Sequence, residues 1–370
     1  MTHHVARIVV LLLMALVAVV GCVRRPLYVI EEYRLKVVVK VLWKAEVYPD
    51  GLKPSGVTLY VFRDGKFYTQ QTTSDVDSCT LQLEPGRYQL YMISQSPEEY
   101  GQMEFDDMTD FNNASVSVLE TKSRWYTKKE AEEQLIGNPE MMTAGVSEEF
   151  VVTDEAVEQY QYYRYQYKRA LRAAGTRAEN DPDMAEAEEM VNYYTIRVPV
   201  YPRSIVSQYW VTIYSDNADV LQSVRASTSG MARTFKLTQD ETGQPEGTQF
   251  IMQWELTMDD PVTRVGHVDG RITTFGFPNG ELPSVLRDST LNVSALLIDN
   301  KTVEDYVFNV GDKIFLEDPP IGYRYLYRLI FGSKEVPAIH PPDVKPPTGG
   351  GGFTSGVEEW DEEQHLGVEI

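Results

Sequence analysis

The sequence predicts an all-β protein in which two tandem β-sandwich domains are accompanied by a helical insertion between or beside them. Three observations lead to this prediction. Apolar and polar residues alternate over many short segments, which is the period of a half-buried strand. Turn-forming residues recur about every dozen positions, as they do in sandwiches. The 370-residue chain is also long enough for two domains of ordinary size.

The chain begins with a short apolar run at residues 8–20, preceded by Arg7. A helix needs about 20 apolar residues to cross a membrane, so the run is short for a span but fits the apolar part of a secretory signal peptide. Residues 19–22, Val-Val-Gly-Cys, resemble the bacterial lipobox, whose cysteine receives a thioether-linked diacylglycerol. We therefore predict a signal peptide at residues 1–21 and lipid attachment at Cys22. An ordinary signal peptide followed by an incidental cysteine is the alternative.

The composition is that of a globular, acidic protein: 42% of the residues are hydrophobic, 24% are charged and the formal net charge is −21. This charge argues against a nucleic-acid partner and against electrostatic binding to an anionic surface. The chain has two cysteines. If Cys22 carries lipid, Cys79 has no partner for an internal disulfide, and we interpret it as a buried small hydrophobe. The domains must then be held together by their cores.

Residues 22–152 are predicted to form the first sandwich. Its first strand, residues 33–43, has apolar residues on one face and basic residues on the other. A hairpin follows, with a tight Asp-Gly turn at residues 64–65 that tolerates positive φ. A second hairpin is predicted around the Pro-Gly pair at residues 85–86. Proline presets φ at the first central position of a type II turn, and glycine accepts the left-handed second position.

The apolar period changes to that of a helix after Thr153. The predicted helical stripe, with steps of three and four, consists of Ala156, Tyr160, Tyr163, Tyr167, Leu171 and Ala174. Thr153 or Asp154 caps the start, and Gly175 ends the helix. We assign residues 153–192 to a helical junction between the domains. A helix packed over an opening in the first sandwich is the alternative.

Residues 193–336 are predicted to form a second sandwich of similar size. Alternating strands are indicated around residues 196–200, 210–214, 250–256 and 291–297. The last of these strands continues into a hairpin over the Asp-Asn pair at residues 299–300. The second half of the chain therefore repeats the strand-rich pattern of the first.

The C-terminal part is predicted to be a linker followed by a tail. Residues 337–352 contain five prolines and four consecutive glycines, a composition typical of an extended and then flexible linker. Residues 353–370 are acidic and end in strand-like alternation. The candidate pairing residues of this tail are Phe353, Trp360, Leu366, Val368 and Ile370. Such an end can fold back onto its own sheet or pair with another chain, and a disordered tail is the alternative.

The sequence contains no recognisable catalytic or metal-binding set. We therefore predict a non-catalytic protein with no metal and no cofactor, apart from the acyl chains on Cys22. The histidines beyond the signal peptide, His267, His340 and His365, match no metal or catalytic spacing. The acidic stretch at residues 98–110 does not follow the order of an EF-hand loop, so a solvated acidic loop is the preferred interpretation over a calcium site.

Four motifs together carry a resemblance to a known family: the lipobox cysteine followed by RRPLY, the first strand YRLKVVVKVLW, the segment LEPGRYQLYMIS and the tail GGGGFTSGVEEWDEE. With them the chain resembles the fimbrillin-like lipoproteins of the Bacteroidetes, which include fimbrial anchor subunits. The resemblance implies two transthyretin-like Greek-key sandwiches and a lipid-anchored position in the outer membrane at the cell surface. It also implies assembly by strand exchange, in which a strand of one subunit completes the sheet of the next.

On this sequence the resemblance implies that Cys22 is the membrane anchor, that residues 33–43 are a retained first strand and that residues 353–370 donate a strand or fold back. No proteolytic site is identifiable in a loop within a domain, which favours a fimbrial anchor or accessory subunit over a stalk subunit. The implied partners are the membrane, through the lipid, and fimbrial subunit proteins. A surface glycan-binding lipoprotein with a host or glycan ligand is the alternative. The basic residues behind Cys22 leave open which side of the outer membrane holds the protein.

Overall fold

The computed structural model describes residues 32–44, 53–122, 134–174, 182–285 and 289–347. The helices in these residues are α1 Asp154–Ala174 and α2 Pro182–Tyr194. The strands are β1 Leu35–Val41, β2 Val57–Arg63, β3 Lys66–Thr73, β4 Ser78–Leu83, β5 Gly86–Ser94, β6 Met103–Asp106, β7 Ser115–Val118, β8 Leu135–Ile136, β9 Thr143–Val146, β10 Phe150–Val152, β11 Ile196–Val200, β12 Arg203–Ser204, β13 Ser207–Ser215, β14 Leu221–Lys236, β15 Glu241–Ile251, β16 Trp254–Asp260, β17 Val265–Thr274, β18 Thr290–Leu297, β19 Val303–Asn309, β20 Phe315–Glu317 and β21 Leu326–Phe331. The predicted all-β class is confirmed.

The chain forms two compact units whose segments interleave along the sequence. The first unit takes the described residues up to Ser117, together with Met141–Ile205 and Phe235–Glu241. The second takes Val118–Glu140, Val206–Thr234 and the described residues from Thr242 onward. The boundaries that we predicted, after residues 152, 192 and 336, run in simple chain order and differ from this division. A pattern of alternation marks a strand, but it does not say which sheet the strand joins.

The first unit contains two sheets, with strand orders β11-β1-β4 and β12-β9-β5-β2-β3, and β10 pairs with β5. The predicted first strand is present, and its inward residues Leu35, Val37 and Val39 are fully buried. Burial of one such side chain contributes about 1.5–3 kcal/mol. Tyr33, which the alternation also placed inward, is 36% exposed because the strand begins only at Leu35. The Asp-Gly hairpin is confirmed, since both turn residues have positive φ.

The second predicted hairpin of the first domain is wrong. β4 pairs with β1 in one sheet, whereas β5 pairs with β2 in the other, so the Pro-Gly pair at residues 85–86 carries the chain between sheets. Gly86 is not among the residues with positive φ. Its lack of a side chain leaves room for Arg63, because a Cβ at this position would lie 2.6 Å from Arg63 Nε. The turn propensity of the Pro-Gly pair predicted the turn, but not that the turn joins strands of different sheets.

The sequence pattern predicts β11 as a strand of the second sandwich, whereas the structure places it in the first unit. It pairs in parallel with β1, so that Val39 faces Val198 and Val41 faces Val200. Both valines of β11 are buried in the core of the first unit. A parallel pair needs a long connection, and here it comprises β2 to β10 followed by the two helices. The alternation in the sequence does not reveal which sheet β11 joins, because its partner β1 is far away along the chain.

The predicted helix is confirmed as α1. Thr153 caps it, since the Ala156 amide donates to Thr153 Oγ1 at 3.2 Å. Val157 and Tyr160 are buried in the core of the first unit, which supports the alternative that the helix packs on the first sandwich. Farther along, Leu171 of the predicted stripe is 46% exposed, so the second half of the helix does not continue this packing.

The second unit contains a sheet of order β16-β17-β13-β21-β20 and a facing layer of order β19-β18-β14-β15-β8. The predicted strand at residues 250–256 is interrupted, because β15 ends at Ile251 and β16 begins at Trp254. The Trp254 indole N–H donates to the Ile251 carbonyl at 2.8 Å and closes this turn. The hairpin over residues 299–300 is confirmed: it joins β18 to β19, and Asn300 has φ +59°.

The described part of the predicted linker, residues 337–347, packs on the second unit. Ile339 is fully buried in its core and forms a parallel bridge with Ser215. The backbone amides of Ala338 and Ile339 donate to the Tyr214 carbonyl at 2.8 and 3.2 Å. Proline favours an extended chain without excluding a buried one, so the apolar residues between the prolines decide where this segment lies.

Candidate functional site

Several residues singled out in the sequence lie outside the described residues. These are the lipid-attachment candidate Cys22 and the tail candidates Phe353, Trp360, Leu366, Val368 and Ile370. Their roles stay predictions. The structure does describe the sheet edges, and an unpaired edge is where another strand can be added.

Most sheet edges in the described residues are unsuited to receive a strand. β11 contains Pro199, which has no backbone N–H to donate. β16 is irregular, with a register shift between Met258 and Asp260. β8 and β12 have two residues each. The remaining edges of six or more residues are β3, β4 and β19. β3 begins with Lys66 and pairs with β2 across a register shift. In β4 the residues between the inward positions are polar, such as Thr80 and Gln82.

β19 is a regular edge whose exposed row alternates two valines with the polar residues Asp305 and Asn309. Its seven residues pair with β18 without a register shift, from Thr290 opposite Asn309 to Leu296 opposite Val303. Side chains alternate between partly buried and exposed along the strand. Val303 and Val307 are 54% and 59% exposed. The strand contains no lysine, proline or bulge, and its one exposed charge is Asp305.

The edge of the other sheet lies on the same side of the second unit. After β19 a short turn leads to β20, which pairs only with β21 among the described strands. Phe308 of β19 contacts Phe331 of β21, with ring centroids 4.3 Å apart, so the two sheets meet here. We call this side the open flank and define it by the exposed apolar side chains Val303 and Val307 of β19 and Leu316 of β20. Clustered exposed apolar residues are typical of interaction surfaces.

The second unit also carries a network of ion pairs on the outer side of the sheet that contains β13. His267 lies between two carboxylates, with Nδ1 2.6 Å from Asp259 and Nε2 3.4 Å from Asp269. Lys334 Nζ is 3.0 Å from the other oxygen of Asp259. Burial raises the pKa of Asp259, but the hydrogen bonds from His267 and Lys334 outweigh it and hold the pKa below its usual value. Sequence spacing gave no signal for this cluster, since its members come from three separate segments.

The acidic stretch at residues 98–110 lies on the surface, and Cys79 lies in the core. The six acidic residues of the stretch at residues 98–110 are all exposed. No group of three or more potential metal ligands converges in the part of the chain that the structure describes. Cys79 is buried, and burial raises the pKa of its thiol to about 11, which disfavours the reactive thiolate. None of the described helices is long and apolar enough to span a membrane.

A family model described as "Domain of unknown function (DUF5119)" matches residues 21–251. The chain belongs to this family. In this DUF5119 protein the matched segment begins next to Cys22 and ends with β15, so the open flank lies beyond it. No curated protein sequence matches the chain.

Solved structures show the fold that this DUF5119 protein shares. A candidate adhesin from Bacteroides ovatus is similar at 13% identity and a TM-score of 0.51, with 88% of this chain and 99% of that chain covered. The fimbrial anchor protein Mfa2 from Porphyromonas gingivalis follows at 12% identity and a TM-score of 0.42, with 80% and 90% covered. The C-terminally truncated tip fimbrial protein Mfa3 from the same organism has 12% identity and a TM-score of 0.30, with 79% and 94% covered. The predicted resemblance is confirmed at the level of the fold.

Proposed function

We propose that this protein is a non-catalytic anchor or accessory subunit of a fimbria, held at the outer-membrane surface by acyl chains on Cys22. It binds a neighbouring fimbrial subunit by β-strand addition at the open flank. The observation that carries the proposal is β19, a regular edge strand with two exposed valines and no lysine, proline or bulge. The fold shared with the Bacteroides ovatus candidate adhesin supports a role at the cell surface.

A strand added at β19 pairs with the free backbone N–H and C=O groups of this edge and covers its exposed valine side chains. An added strand forms main-chain hydrogen bonds, each contributing about 0.5–1.5 kcal/mol net. Its alternate side chains cover Val303 and Val307, and burial of apolar surface contributes further. The exposed residues of β20 extend the apolar contact to the second sheet. The tail at residues 353–370, with its strand-like end, is our candidate for a donated or folded-back strand.

The lipid is the second part of the proposal. One acyl chain gives only marginal membrane binding, whereas two or more anchor a protein stably. β1 begins only a short segment after Cys22, so the first unit would lie close to the membrane surface. Replacement of Cys22 by serine should move the protein from the detergent phase to the aqueous phase in a detergent partition experiment. Retention of the C22S protein in the detergent phase would contradict lipid anchoring.

The strand-addition step is tested with the C22S protein, purified without lipid and mixed with a sheared fimbrial fraction from the source organism. We expect a complex that resists mild denaturant. Val303→Lys with Val307→Lys places charges on the β19 edge and should weaken the complex at least tenfold, since a loss of about 1.4 kcal/mol suffices. The matched control is Thr80→Lys with Gln82→Lys on the β4 edge of the first unit.

A version that ends at Thr348 separates the roles of the tail and the flank. If the tail is the donated strand, the complex disappears on truncation and persists in the flank variants, which would contradict strand addition at the flank. If the flank is the acceptor, the complex survives truncation and is lost in the flank variants. Complexes that are indifferent to both changes, or absent with the unaltered protein, would overturn the proposal.

A further inference from the structure

A row of large side chains crosses the outer face of the sheet that contains β13. Trp210 of β13 faces Arg271 of β17 on one side and Arg328 of β21 on the other, and Arg328 in turn faces Phe315 of β20. Directly opposed residues on neighbouring strands share a face of the sheet. We call Arg271, Trp210 and Arg328 the arginine–tryptophan row.

The two guanidinium groups of the row are held in place by the indole and by a hydrogen bond. The Arg271 guanidinium lies 4.4 Å from the centre of the Trp210 ring, and that of Arg328 lies 6.0 Å away. Arg328 Nη2 donates to Thr212 Oγ1 at 2.8 Å. The Trp210 indole N–H donates to Gln208 Oε1 at 2.7 Å, which fixes the ring. Less side-chain entropy is therefore lost when a ligand binds these guanidiniums.

Both guanidiniums lack an ionic partner within the described residues. No carboxylate lies within 4.0 Å of Arg271 or Arg328 there, although the chain has 55 acidic and 34 basic residues. The register also places the carboxylates of Asp269, Glu255 and Glu317 on this face. Asp269 is bound by Thr212 and His267. In so acidic a protein, two arginines that are oriented by an aromatic ring and form no direct ion pair within the described residues indicate a site for an external anion.

We propose that the arginine–tryptophan row binds a carboxylate-bearing polysaccharide. A guanidinium receives a carboxylate through two parallel hydrogen bonds, and its remaining N–H groups can donate to sugar hydroxyls. The Gln208 side-chain amide, beside the indole, presents N–H donors of the same kind. Neighbouring strands lie about 4.8 Å apart, so the backbone positions of the two arginines are about 10 Å apart across β13. Both guanidiniums converge on the Trp210 ring, so that two acidic groups along one chain can reach them together.

The surroundings of the row favour a polysaccharide over the other polyanions. Peptides are usually bound at strand edges or in grooves, whereas this row crosses the face of a sheet. Duplex nucleic acid carries about one charge per 1.7 Å, and the net charge of −21 repels so dense a polyanion more strongly than a chain with about one carboxylate per sugar. This inference concerns a different surface from the open flank and does not depend on the proposed fimbrial role.

The test measures binding of the C22S protein to polygalacturonate by isothermal titration calorimetry. Fully methyl-esterified polygalacturonate is the control ligand, because it keeps the sugar backbone and removes the charge. We expect binding of the acid form alone. The double variant Arg271→Gln with Arg328→Gln should bind at least tenfold more weakly, because charge-assisted hydrogen bonds are about twice as strong as neutral ones. Arg87→Gln, on the exposed surface of the first unit, removes one positive charge elsewhere and should leave the affinity unchanged.

A second variant separates charge from geometry. Arg271→Lys with Arg328→Lys keeps both charges but loses the planar fork, so its affinity should fall between those of the unaltered protein and the glutamine variant. Unchanged melting temperatures show that the variants fold. Absence of binding, equal binding of the esterified polymer, equal binding by the glutamine variant, or tighter binding of polyglutamate than of polygalacturonate would each overturn the proposal.

Discussion

Val39 of β1 lies directly opposite Val198 of β11, and both side chains are buried. This parallel pair places β1 in the middle of its sheet, between β11 and β4. The strand at the beginning of the described chain is therefore an integral part of the first core. Both edges of β1 are thus paired, and the free edges of the described strands lie elsewhere.

The burial of Val39 predicts a clear loss of stability when the side chain is shortened. Val39→Ala removes two methyl groups from a fully buried site and should lower the free energy of unfolding of the first unit by about 2 kcal/mol. Lys40→Ala, on the exposed side of the same strand, should change it by less than about 0.5 kcal/mol. Urea denaturation curves measure both, and equal effects would show that β1 is not a central strand.

Gly276 and Gly65 both have positive φ, but only one of them is crowded. A Cβ on Gly276 would lie 2.4 Å from the Tyr327 hydroxyl, whereas a Cβ on Gly65 would meet nothing within 4 Å. Gly65→Ala should cost about 1 kcal/mol for backbone strain alone. Gly276→Ala adds overpacking and should cost about 3 kcal/mol. Thermal unfolding tests the order, and a Gly65→Ala effect equal to or above that of Gly276→Ala would contradict the packing around Tyr327.

Asp259 predicts a pH dependence of the stability of the second unit. Because its pKa is lowered in the folded protein, its contribution is present above the ordinary aspartate pKa of about 3.9 and is lost as the pH falls through the lower folded value. Asp259→Asn should therefore be less stable than the unaltered protein at pH 7, and the difference should shrink below about pH 4. Asp312→Asn, at an exposed position in the same unit, is the matched control. A difference that is constant from pH 7 to pH 3 would exclude the ionic origin.

Ile339 tests whether the proline-rich segment is part of the second unit. Ile339→Ala should lower the stability of the second unit by about 2–4 kcal/mol, because the side chain is fully buried. Val336→Ala, three residues earlier and 71% exposed, should have little effect. Denaturant titration of both variants decides between a docked segment and a free linker. Equally small losses of stability in the two variants would indicate that the segment is a free linker, as the composition predicts.

Local patterns in the sequence predicted local structure well. Alternation located β1, β13 and β18, and the Asp-Gly pair located a hairpin turn. Thr153 and the helical stripe located α1. These features depend on neighbours within a few residues, which is the range over which backbone preference and side-chain period act. The same range explains the failure at residues 85–86, where the turn residues were recognised but the two strands join different sheets.

The sequence by itself determined the all-β class, most of the strand positions and the absence of an obvious catalytic motif. The tertiary structure decided the partner of β11, the docking of Ile339, the open flank and the meeting of Trp210 with Arg271 and Arg328. Each of these joins residues far apart in the chain through strand register. Register is chosen by the packing of whole sheets, and a single strand pattern is compatible with many partners.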